Sequence, residues 1–408
     1  MANTLELGNG KWATGKDTVL AFNDENNNFK PLPFDFTRAS SATVVNKAGL
    51  IETVGSGEPR IDFSNDAKGA LLLEPTRSNL IPYSEDFSNA AWAKSRSSVT
   101  SNAIISPNGA LNADKLIATS VSGTHRAKAT LATVSGDYTF SIFAKKGEYK
   151  NILVWDDSIG GGVGVNLDDL SVFRDVNNQG YKIEDYGNGW IRISINLTYA
   201  SQQIRCTTYI YDNSATPQLT FVGNDSDGLY IYGAQLEQGS YATSYIPTSG
   251  SAATRSADVC NNGANEQVIN STEGVLYAEI SALTDSESGK YLAISNVGNY
   301  QIRIGFLNGA LYVQMRINGS VPYAYSKLAT LTNTNKIAIS WTNNTQKVYV
   351  NGSLVNSGTN STIIPTGTLT SLSFNNGDVS GGNFYGDTKD VRVYNTALTN
   401  AELQALTT

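Results

Sequence analysis

The sequence predicts an all-β protein with two antiparallel β-sandwich (jelly-roll) domains, preceded by an extended, turn-rich N-terminal arm. Three observations support this fold class. Many short segments alternate apolar and polar residues with a period of two, which is the pattern of strands with one buried face. Turn-forming pairs such as Asn188-Gly189 and Asp227-Gly228 separate these segments. Tyrosine is abundant, with 21 residues against 2 methionines, and only 16% of residues are charged, which favours strands over helices.

Length and composition limit the classes of protein to consider. A chain of 408 residues suggests two or three domains. The net charge of −7 argues against general nucleic-acid binding, because a phosphate backbone calls for a basic protein face. No stretch approaches the roughly 20 apolar residues of a membrane helix, and no signal peptide is recognisable. We therefore expect synthesis in the cytoplasm, with Cys206 and Cys260 as two reduced, mostly buried thiols, although a bridge between them stays an alternative.

Four segments are distinguished along the chain. Residues 1–79 contain turns and short apolar runs such as Leu71-Leu72-Leu73, without a long period. We predict that they form an extended arm that packs on a neighbour. Residues 80–250 are predicted to form the first sandwich, residues 251–273 a linker, and residues 274–408 the second sandwich.

The strand patterns define both sandwiches. In the first, Ile191, Ile193 and Ile195 alternate with polar residues, which predicts a sheet with one wet face. In the second, Asn351-Gly352 between two alternating segments predicts a tight hairpin. Near the end of the chain, Thr399 and Glu402 have the spacing of a capping box, which predicts a short helix after a final strand.

Several motifs are more specific together than separately. In the N-terminal part they are Phe36-Thr37-Arg38-Ala39-Ser40-Ser41-Ala42-Thr43, Gly49-Leu50-Ile51-Glu52, Pro59-Arg60-Ile61-Asp62 and Leu71-Leu72-Leu73-Glu74-Pro75-Thr76-Arg77-Ser78-Asn79-Leu80. In the centre they are Asn188-Gly189-Trp190-Ile191-Arg192-Ile193-Ser194 and Tyr232-Gly233-Ala234-Gln235-Leu236-Glu237-Gln238-Gly239. These motifs resemble those of bacteriophage virion-surface proteins, namely tail fibres, head fibres and decoration proteins. The middle domain resembles jelly-roll carbohydrate-binding modules, and residues 274–408 resemble laminin-G-like, concanavalin-A-like lectin domains.

The resemblance implies a location and partners. It implies a non-enzymatic fibre or decoration protein on a phage particle, made in the host cytoplasm, that adheres to host-surface or environmental glycans. The arm would contact other virion proteins, and the fibre resemblance implies a homotrimer. One alternative is a structural connector or collar component without glycan binding. Further alternatives are a polysaccharide depolymerase and a secreted bacterial lectin.

A candidate glycan-binding face follows from strand parity. Its residues lie on the side of the predicted strands away from the aliphatic residues: Trp155, Trp190, Arg192, Tyr209, Tyr211 and Tyr230. Sugars stack their C–H faces on aromatic rings, and their hydroxyl groups bond to charged or amide groups. The alternative is that a second sheet, the arm or a neighbouring subunit covers this face.

Two weaker candidate sites lie elsewhere. Tyr312 and Arg316, with Gln314 between them, lie opposite aliphatic residues in the last domain, and form either a second contact surface or an ordinary tyrosine-rich exterior. Asp225 and Asp227 could supply oxygen ligands to a structural Ca²⁺, although turns of this composition are common without metal. No other cofactor is expected.

Catalysis finds little support in the sequence. The single histidine, His125, is predicted to lie on the surface or in a loop, and without a second histidine a zinc site or a His-based triad would need unusual partners. No Glu-x-Asp-x-x-Glu strand of the kind found in lectin-fold glucanases is present. The run Gly160-Gly161-Gly162-Val163-Gly164 lacks the Lys-Ser/Thr of a phosphate-binding loop, which predicts a loop or bulge. We therefore expect no enzymatic activity.

Overall fold

The computed structural model confirms the all-β fold class. It describes residues 4–23, 28–296, 299–359, 363–377 and 381–408, and within them the secondary structure is antiparallel strands and one short helix. No helix among these residues has the length and apolar character needed to cross a membrane.

The strands follow one another along the chain in three groups. The first group is Leu5–Gly8 (β1), Ala13–Gly15 (β2), Thr18–Asn23 (β3), Asn28–Thr37 (β4), Ala42–Val45 (β5), Ile51–Val54 (β6), Ile61–Asp62 (β7), Ala70–Leu73 (β8) and Arg77–Asn79 (β9). The second is Trp92–Ser95 (β10), Ser97–Ile105 (β11), Leu111–Ala118 (β12), Gly123–Lys145 (β13), Asn151–Asp156 (β14), Gly161–Asn166 (β15), Val172–Val176 (β16), Tyr181–Asp185 (β17), Ile191–Tyr211 (β18), Thr220–Phe221 (β19), Gly228–Gln238 (β20) and Ala253–Arg255 (β21). The third is Val259–Asn261 (β22), Gly274–Ala282 (β23), Lys290–Ser295 (β24), Gln301–Leu307 (β25), Ala310–Ile317 (β26), Ser320–Leu328 (β27), Asn335–Trp341 (β28), Thr345–Val350 (β29), Ser353–Thr359 (β30), Ser371–Ser373 (β31) and Gly386–Tyr394 (β32), followed by the helix Asn400–Thr407 (α1).

The chain forms two compact units. The terminal unit, which contains both ends of the chain, comprises residues 1–41, 54–75 and 256–408. The central unit comprises residues 42–53 and 76–255. Each unit therefore draws on segments that are distant in the sequence.

The terminal unit is a sandwich of two sheets. Its larger sheet follows the order β22-β4-β3-β1-β32-β23-β28-β29-β30, and its smaller sheet follows β27-β26-β25-β24-β31. Leu276 and Ile339 of the larger sheet and Ile304 and Val313 of the smaller one belong to a single buried core. This core removes the apolar side of the central strands of both sheets from water, which is the main stabilising contribution to such a fold.

The N-terminal strands complete the larger sheet, which corrects the prediction of an extended arm over residues 1–79. Strand β1 pairs with β32, placing Leu5 opposite Val393. Leu5 and Phe36 have no exposed surface. Because these short strands have too little apolar surface to form a core alone, they bury it against a sheet built mainly from the end of the chain.

The predicted linker, residues 251–273, also contains structure. Strand β21 pairs with β9 in the central unit. Strand β22 pairs with β4 in the terminal unit, where Cys260 lies opposite Phe36. Cys206 and Cys260 are both free and buried, and burial raises the pKa of both thiols.

The central unit is built on two very long strands. Strands β13 and β18 pair along most of their length, with Phe140 opposite Ile195 and Ala129 opposite Cys206. They lie at the centre of a sheet ordered β11-β12-β20-β13-β18-β14-β15-β16. Their aliphatic side chains form the main core of this unit, as the period-two pattern predicted.

Two local predictions in the terminal unit are confirmed. Asn351 and Gly352 join β29 to β30 with positive φ angles of 48° and 77°, as a tight hairpin turn of this sequence requires. Thr399 and Glu402 form both hydrogen bonds of a capping box at the start of α1. Leu403 of this helix packs in a second apolar cluster on the outer side of the larger sheet.

A buried charge network connects three distant segments of the terminal unit. Arg38 Nη1 donates to Asp258 Oδ1 over 3.0 Å, and Arg60 Nη2 contacts the other oxygen of the same carboxylate. Arg60 Nη1 donates to Glu74 Oε2 over 2.6 Å, and the Glu74 backbone N–H donates to Asp258 Oδ2 over 2.8 Å. Arg38, Arg60 and Asp258 side chains have no exposed surface. Asp258 thus bonds to two arginines and one backbone amide at once.

We predict that Asp258→Asn strongly destabilises the terminal unit. Removing the carboxylate charge leaves two buried guanidinium groups facing one glutamate, and breaking a buried ion pair costs about 3–5 kcal/mol. Urea denaturation at neutral pH measures this loss. The exposed Glu266→Gln removes one negative charge from the same unit and serves as the control. Equal stability of the two variants would contradict the prediction.

A second polar cluster lies on the outer side of the larger sheet. Arg392 donates from Nε and Nη2 to Asp390 Oδ2 over 2.9 and 2.6 Å, and its Nη2 lies 3.2 Å from Glu6 Oε1. Asp390 is 3% exposed. Burial raises the pKa of the Asp390 carboxyl to about 6, and the negative charges of Glu6 and Glu279 add to the rise while Arg392 opposes it.

We predict that Asp390 makes the terminal unit less stable as the pH rises from about 4 to about 6.5. The folded state holds the Asp390 proton more tightly than the unfolded state, so its stabilising contribution is complete below the ordinary pKa of 3.8 and is lost through about 6. A shift of this size corresponds to roughly 3 kcal/mol. Denaturant titrations across this range should show wild type losing stability relative to Asp390→Asn. A constant difference would contradict the prediction.

Candidate functional site

The structure separates the predicted aromatic face of the central unit into a buried part and an accessible part. Trp190 and Arg192 are each 2% exposed, so they offer no open surface. Tyr209 and Tyr211 are also buried, whereas Trp155 and Tyr230 are half-buried. For the four buried residues, the prediction of a solvent-exposed face is wrong.

Trp190 is covered by a segment that the sequence assigned to the arm. It packs with Val45 and Ile51 of the β5–β6 hairpin and with the rings of Phe143 and Tyr232. Its Nε1 donates to the Ile105 carbonyl over 3.1 Å. This outcome matches the alternative in which the arm covers the face, because residues 42–53 form the cover.

Arg192 has a structural role beside this cluster. Its Nη1 donates to the Thr243 carbonyl over 2.8 Å and its Nη2 to Ser141 Oγ over 3.0 Å. The guanidinium also lies over the Phe143 ring, with 5.4 Å between the guanidinium carbon and the ring centroid. Both terminal guanidinium nitrogens therefore bond within the protein, and a ligand would have to displace these bonds.

Tyr209 and Tyr211 form a small apolar cluster on the same side of the sheet. They pack with Leu153 and with the half-buried Trp155 and Phe173. Tyr209 donates its hydroxyl hydrogen to Asp157 Oδ1 over 2.7 Å. Burial, followed by this hydrogen bond, raises the pKa of Tyr209 to about 12. Tyr209 and Tyr211 thus support the accessible side chains around them and do not themselves form the surface.

The terminal unit carries a more open aromatic face, on the outer side of its smaller sheet. The Arg303 guanidinium carbon lies 4.3 Å from the centroid of the Tyr291 ring and 5.8 Å from that of Tyr312. The two tyrosine centroids are 6.0 Å apart. Arg303 and Tyr312 are half-buried, so each keeps accessible surface. We call this set, with Gln314 and Arg316, the arginine–tyrosine face.

Gly305 makes the arrangement of these rings feasible. The register places it between Tyr291 on β24 and Tyr312 on β26. A Cβ atom at this position would lie 2.0 Å from the Lys290 carbonyl oxygen, so a side chain cannot be accommodated. The missing side chain allows β25 to approach the backbone of β24, the strand that carries Tyr291.

The arginine–tyrosine face also holds two buried polar atoms that have no hydrogen-bond partner among the described residues. Gln314 lies next to Arg303 in the sheet and is 3% exposed. Among the described residues, neither Gln314 Oε1 nor Arg303 Nε has a hydrogen-bond partner. Buried polar atoms in folded proteins are almost always hydrogen-bonded. This pair is therefore one unused acceptor and one unused donor, and it becomes available to a polar ligand only when the two side chains turn outward.

The alternation of side chains along the sequence predicted part of the arginine–tyrosine face. Tyr312 and Arg316 were predicted from β26 alone, and the structure places both on the predicted outer side. Tyr291 and Arg303 were missed, because their contribution depends on the pairing of β24 and β25 with β26. The alternating pattern around Arg303, with Ile302 and Ile304 buried on the opposite side, was the available signal.

The Asp225–Asp227 turn gains no support as a calcium site. Asn224 Oδ1 accepts from the backbone N–H groups of Ser226 and Asp227, and Asp225 Oδ1 accepts from that of Ser120. These bonds describe a self-contained Asx turn. Across the part of the chain that the structure describes, no group of three or more His, Cys, Asp or Glu side chains could hold a metal ion. Calcium binding stays a prediction.

The expectation of a surface or loop histidine is wrong. His125 lies within β13 and has no exposed surface. Its Nδ1 lies beside the Arg96 carbonyl oxygen, and its Nε2 is 3.1 Å from that of Phe221. The glycine run was predicted to be a loop or bulge: most of it lies in strand β15, Gly161–Asn166, and the pairing of this strand with β16 shifts register between Gly164 and Val165, which agrees with a bulge and not with a loop.

Comparisons with known proteins agree with the fold of the terminal unit. Residues 276–404 match the laminin G family model described as concanavalin A-like lectin/glucanases superfamily. This part of the chain is therefore a laminin G-like, concanavalin A-like domain, as the resemblance implied, and it carries the arginine–tyrosine face. No curated protein matches the chain.

The solved structures to which parts of the chain are similar include carbohydrate-binding modules. A CBM40 module of the Ruminococcus gnavus IT-sialidase shares 17% identity, with a TM-score of 0.31, over 36% of this chain and 94% of that chain. Domain 4 of AbnA, a GH43 arabinanase from Geobacillus stearothermophilus, solved with arabinotriose, shares 18% identity, with a TM-score of 0.32, over 42% and 83%. Mouse laminin alpha1 domains LG4-5 share 10% identity, with a TM-score of 0.25, over 69% and 90%. These similarities assign neither a ligand nor residue roles to this chain.

We predict that two tryptophans of the central unit respond differently to replacement by alanine. Trp190→Ala should cost about 3–5 kcal/mol of stability, because it leaves a cavity in a closed aromatic cluster. Trp155→Ala should cost clearly less, because part of the ring already contacts water. Thermal and urea denaturation measure both variants. Equal losses would contradict the assignment of Trp190 to a core and Trp155 to a surface.

Proposed function

We propose that this protein is a non-enzymatic glycan-binding protein of a phage virion surface, and that the arginine–tyrosine face is its primary binding site. The observation that carries the proposal is the pairing of accessible aromatic surface on Tyr312 with the unbonded Gln314 Oε1 and Arg303 Nε. The lectin-like fold of this part of the chain supports it.

The chemistry of the face suits a sugar ring. The C–H surface of a pyranose can lie against Tyr312, where an apolar contact with an aromatic ring is favourable. When the Gln314 and Arg303 side chains turn outward, a sugar hydroxyl can donate to Gln314 Oε1 and another can accept from Arg303 Nε. Satisfying two buried polar atoms is a larger gain than forming two exposed hydrogen bonds, because these atoms have already lost their contact with water.

Binding without catalysis follows from the composition of the face. Arg303, Gln314 and Arg316 can donate and accept hydrogen bonds, but glycoside hydrolysis calls for a pair of carboxyl groups flanking the scissile bond. The residues that define the face include no carboxylate. Affinity at a single site would be weak, and repetition on a particle, for instance in a homotrimer, would convert it into avidity.

The virion location rests on the resemblance of the N-terminal and central motifs to phage fibre and decoration proteins. Because most of those motifs lie in folded strands, attachment to other virion proteins would use a folded surface of the terminal unit and not a free arm. The structural connector remains the competing hypothesis, and it differs from the proposal in binding no glycan.

A glycan array tests the proposal, with the full chain, wild type and variants. We predict selective binding that Tyr312→Ala and Arg303→Ala each reduce by roughly tenfold, as expected when an anchor residue of a small interface is removed. Lys327→Ala is the matched control. Lys327 lies on the neighbouring strand β27, next to Ser326, which pairs with Tyr312. Because successive side chains of a strand point to opposite sides of the sheet, Lys327 is not on the side of Tyr312. Affinities follow from isothermal titration with the best array ligand.

Three outcomes would count against the proposal. A blank array with folded wild-type protein favours the structural connector. Binding that all three variants retain places the glycan site elsewhere in the chain. Release of reducing ends from a bound polysaccharide would instead establish a depolymerase.

A further inference from the structure

We propose that the central unit contains a second binding face, specific for anionic glycans that carry carboxylate or sulfate groups. This inference extends the proposed glycan-binding function, on which it rests, by naming a ligand class. The face consists of Arg126, Lys128, Trp155, Arg174 and Arg205, and we call it the basic face. It lies on the side of β13, β18, β14 and β16 that points away from the main core.

The register brings these residues together on one surface. Lys128, Thr207 and Trp155 occupy one row across β13, β18 and β14. Arg174 lies in a nearby row, across β15 from Leu153. Neighbouring strands are about 4.8 Å apart, so Lys128 and Trp155 lie within the length of one or two sugar rings.

The glycines of β15 shape this surface. Gly164 lies between Leu153 and Arg174, and a Cβ atom there would be 2.6 Å from the Phe173 ring. Gly164 therefore leaves room for the Phe173 ring, and the next residue, Arg174, reaches across the strand with its guanidinium carbon 4.9 Å from the Trp155 ring centroid. The sequence predicted a loop or bulge for this glycine run, and the register of the β15–β16 pair shifts between Gly164 and Val165, as a bulge would make it.

The charges on this face are unbalanced. Arg126 Nη1 and Lys128 Nζ lie 3.2 and 3.5 Å from the same oxygen of Asp157, so two cations share one carboxylate. Arg174 and Arg205 are exposed and form no ion pair with any described residue. A chain with a net charge of −7 thus concentrates positive charge around an accessible tryptophan.

Charge complementarity selects the ligand. An arginine that stacks on an aromatic ring keeps its N–H groups at the edge, where they can bind a carboxylate or sulfate through charge-assisted hydrogen bonds. The ring of Trp155 adds an apolar contact for the sugar itself. A neutral glycan would make only the apolar contact with Trp155, so the basic face favours an acidic polysaccharide.

The test measures binding of the full chain to four immobilised probes: alginate, dextran sulfate, neutral dextran and a short DNA duplex. We expect alginate or dextran sulfate to bind at least about tenfold more tightly than neutral dextran, because charge-assisted hydrogen bonds are roughly twice as strong as neutral ones. The two acidic probes distinguish carboxylate from sulfate. Raising NaCl from about 20 to about 300 mM should weaken the binding.

The double variant Arg174→Gln/Arg205→Gln should abolish the preference for acidic probes. Lys182→Gln is the control, because Lys182 is an exposed cation of the same unit on β17, outside the basic face. An acidic preference that survives in the double variant would overturn the inference, as would equal binding of duplex DNA and dextran sulfate. Loss of array binding in Arg303→Ala with unchanged alginate binding would show that the two faces act independently. The glycan array thus tests the arginine–tyrosine face and the acidic probes test the basic face, so either proposal can fail while the other holds.

Discussion

The buried network of Arg38, Arg60, Glu74 and Asp258 is the constraint on which the terminal unit depends. Transferring four charged groups from water costs several kcal/mol per ion, and only the complete geometry offsets this cost. The segments that carry them must therefore fold together, although Arg38 and Asp258 are 220 positions apart in the chain. This requirement gives a physical reason for Arg38, Arg60 and Glu74, which lie in three separate N-terminal motifs.

The central unit shows a different constraint, because its main sheet is covered on much of both sides. The aliphatic residues of β13 and β18 form the main core, while Trp190 and Tyr209 lie in two smaller clusters on the opposite side. The part of the outer side that these clusters leave uncovered is where Trp155, Arg174 and the neighbouring cations keep access to solvent. The burial of Trp190 and Tyr209 thus limits the extent of the accessible surface around Trp155.

The two proposed faces share one arrangement of side chains. In each, an arginine lies over an aromatic ring near a glycine position that has no room for a side chain: Arg303 with Tyr291 and Gly305, and Arg174 with Trp155 and Gly164. The faces differ in charge. The arginine–tyrosine face combines arginines with a buried amide, which suits hydroxyl groups, whereas the basic face carries exposed arginines without ion-pair partners among the described residues, which suit anions.

Local rules determined the strands, the Asn351-Gly352 hairpin and the capping box at Thr399, because each depends on residues close together in the chain. The alternation of side chains also identified the outward positions of Tyr312 and Arg316. Which of these outward positions stay accessible was decided by tertiary structure, since the cover of Trp190 comes from residues 42–53 and the partner of Tyr312 comes from β24. Likewise, no local pattern in the N-terminal segments indicates which sheet their strands join. Pairing between distant strands depends on the burial of apolar surface that neither strand achieves alone, and no pattern within one segment specifies that partner.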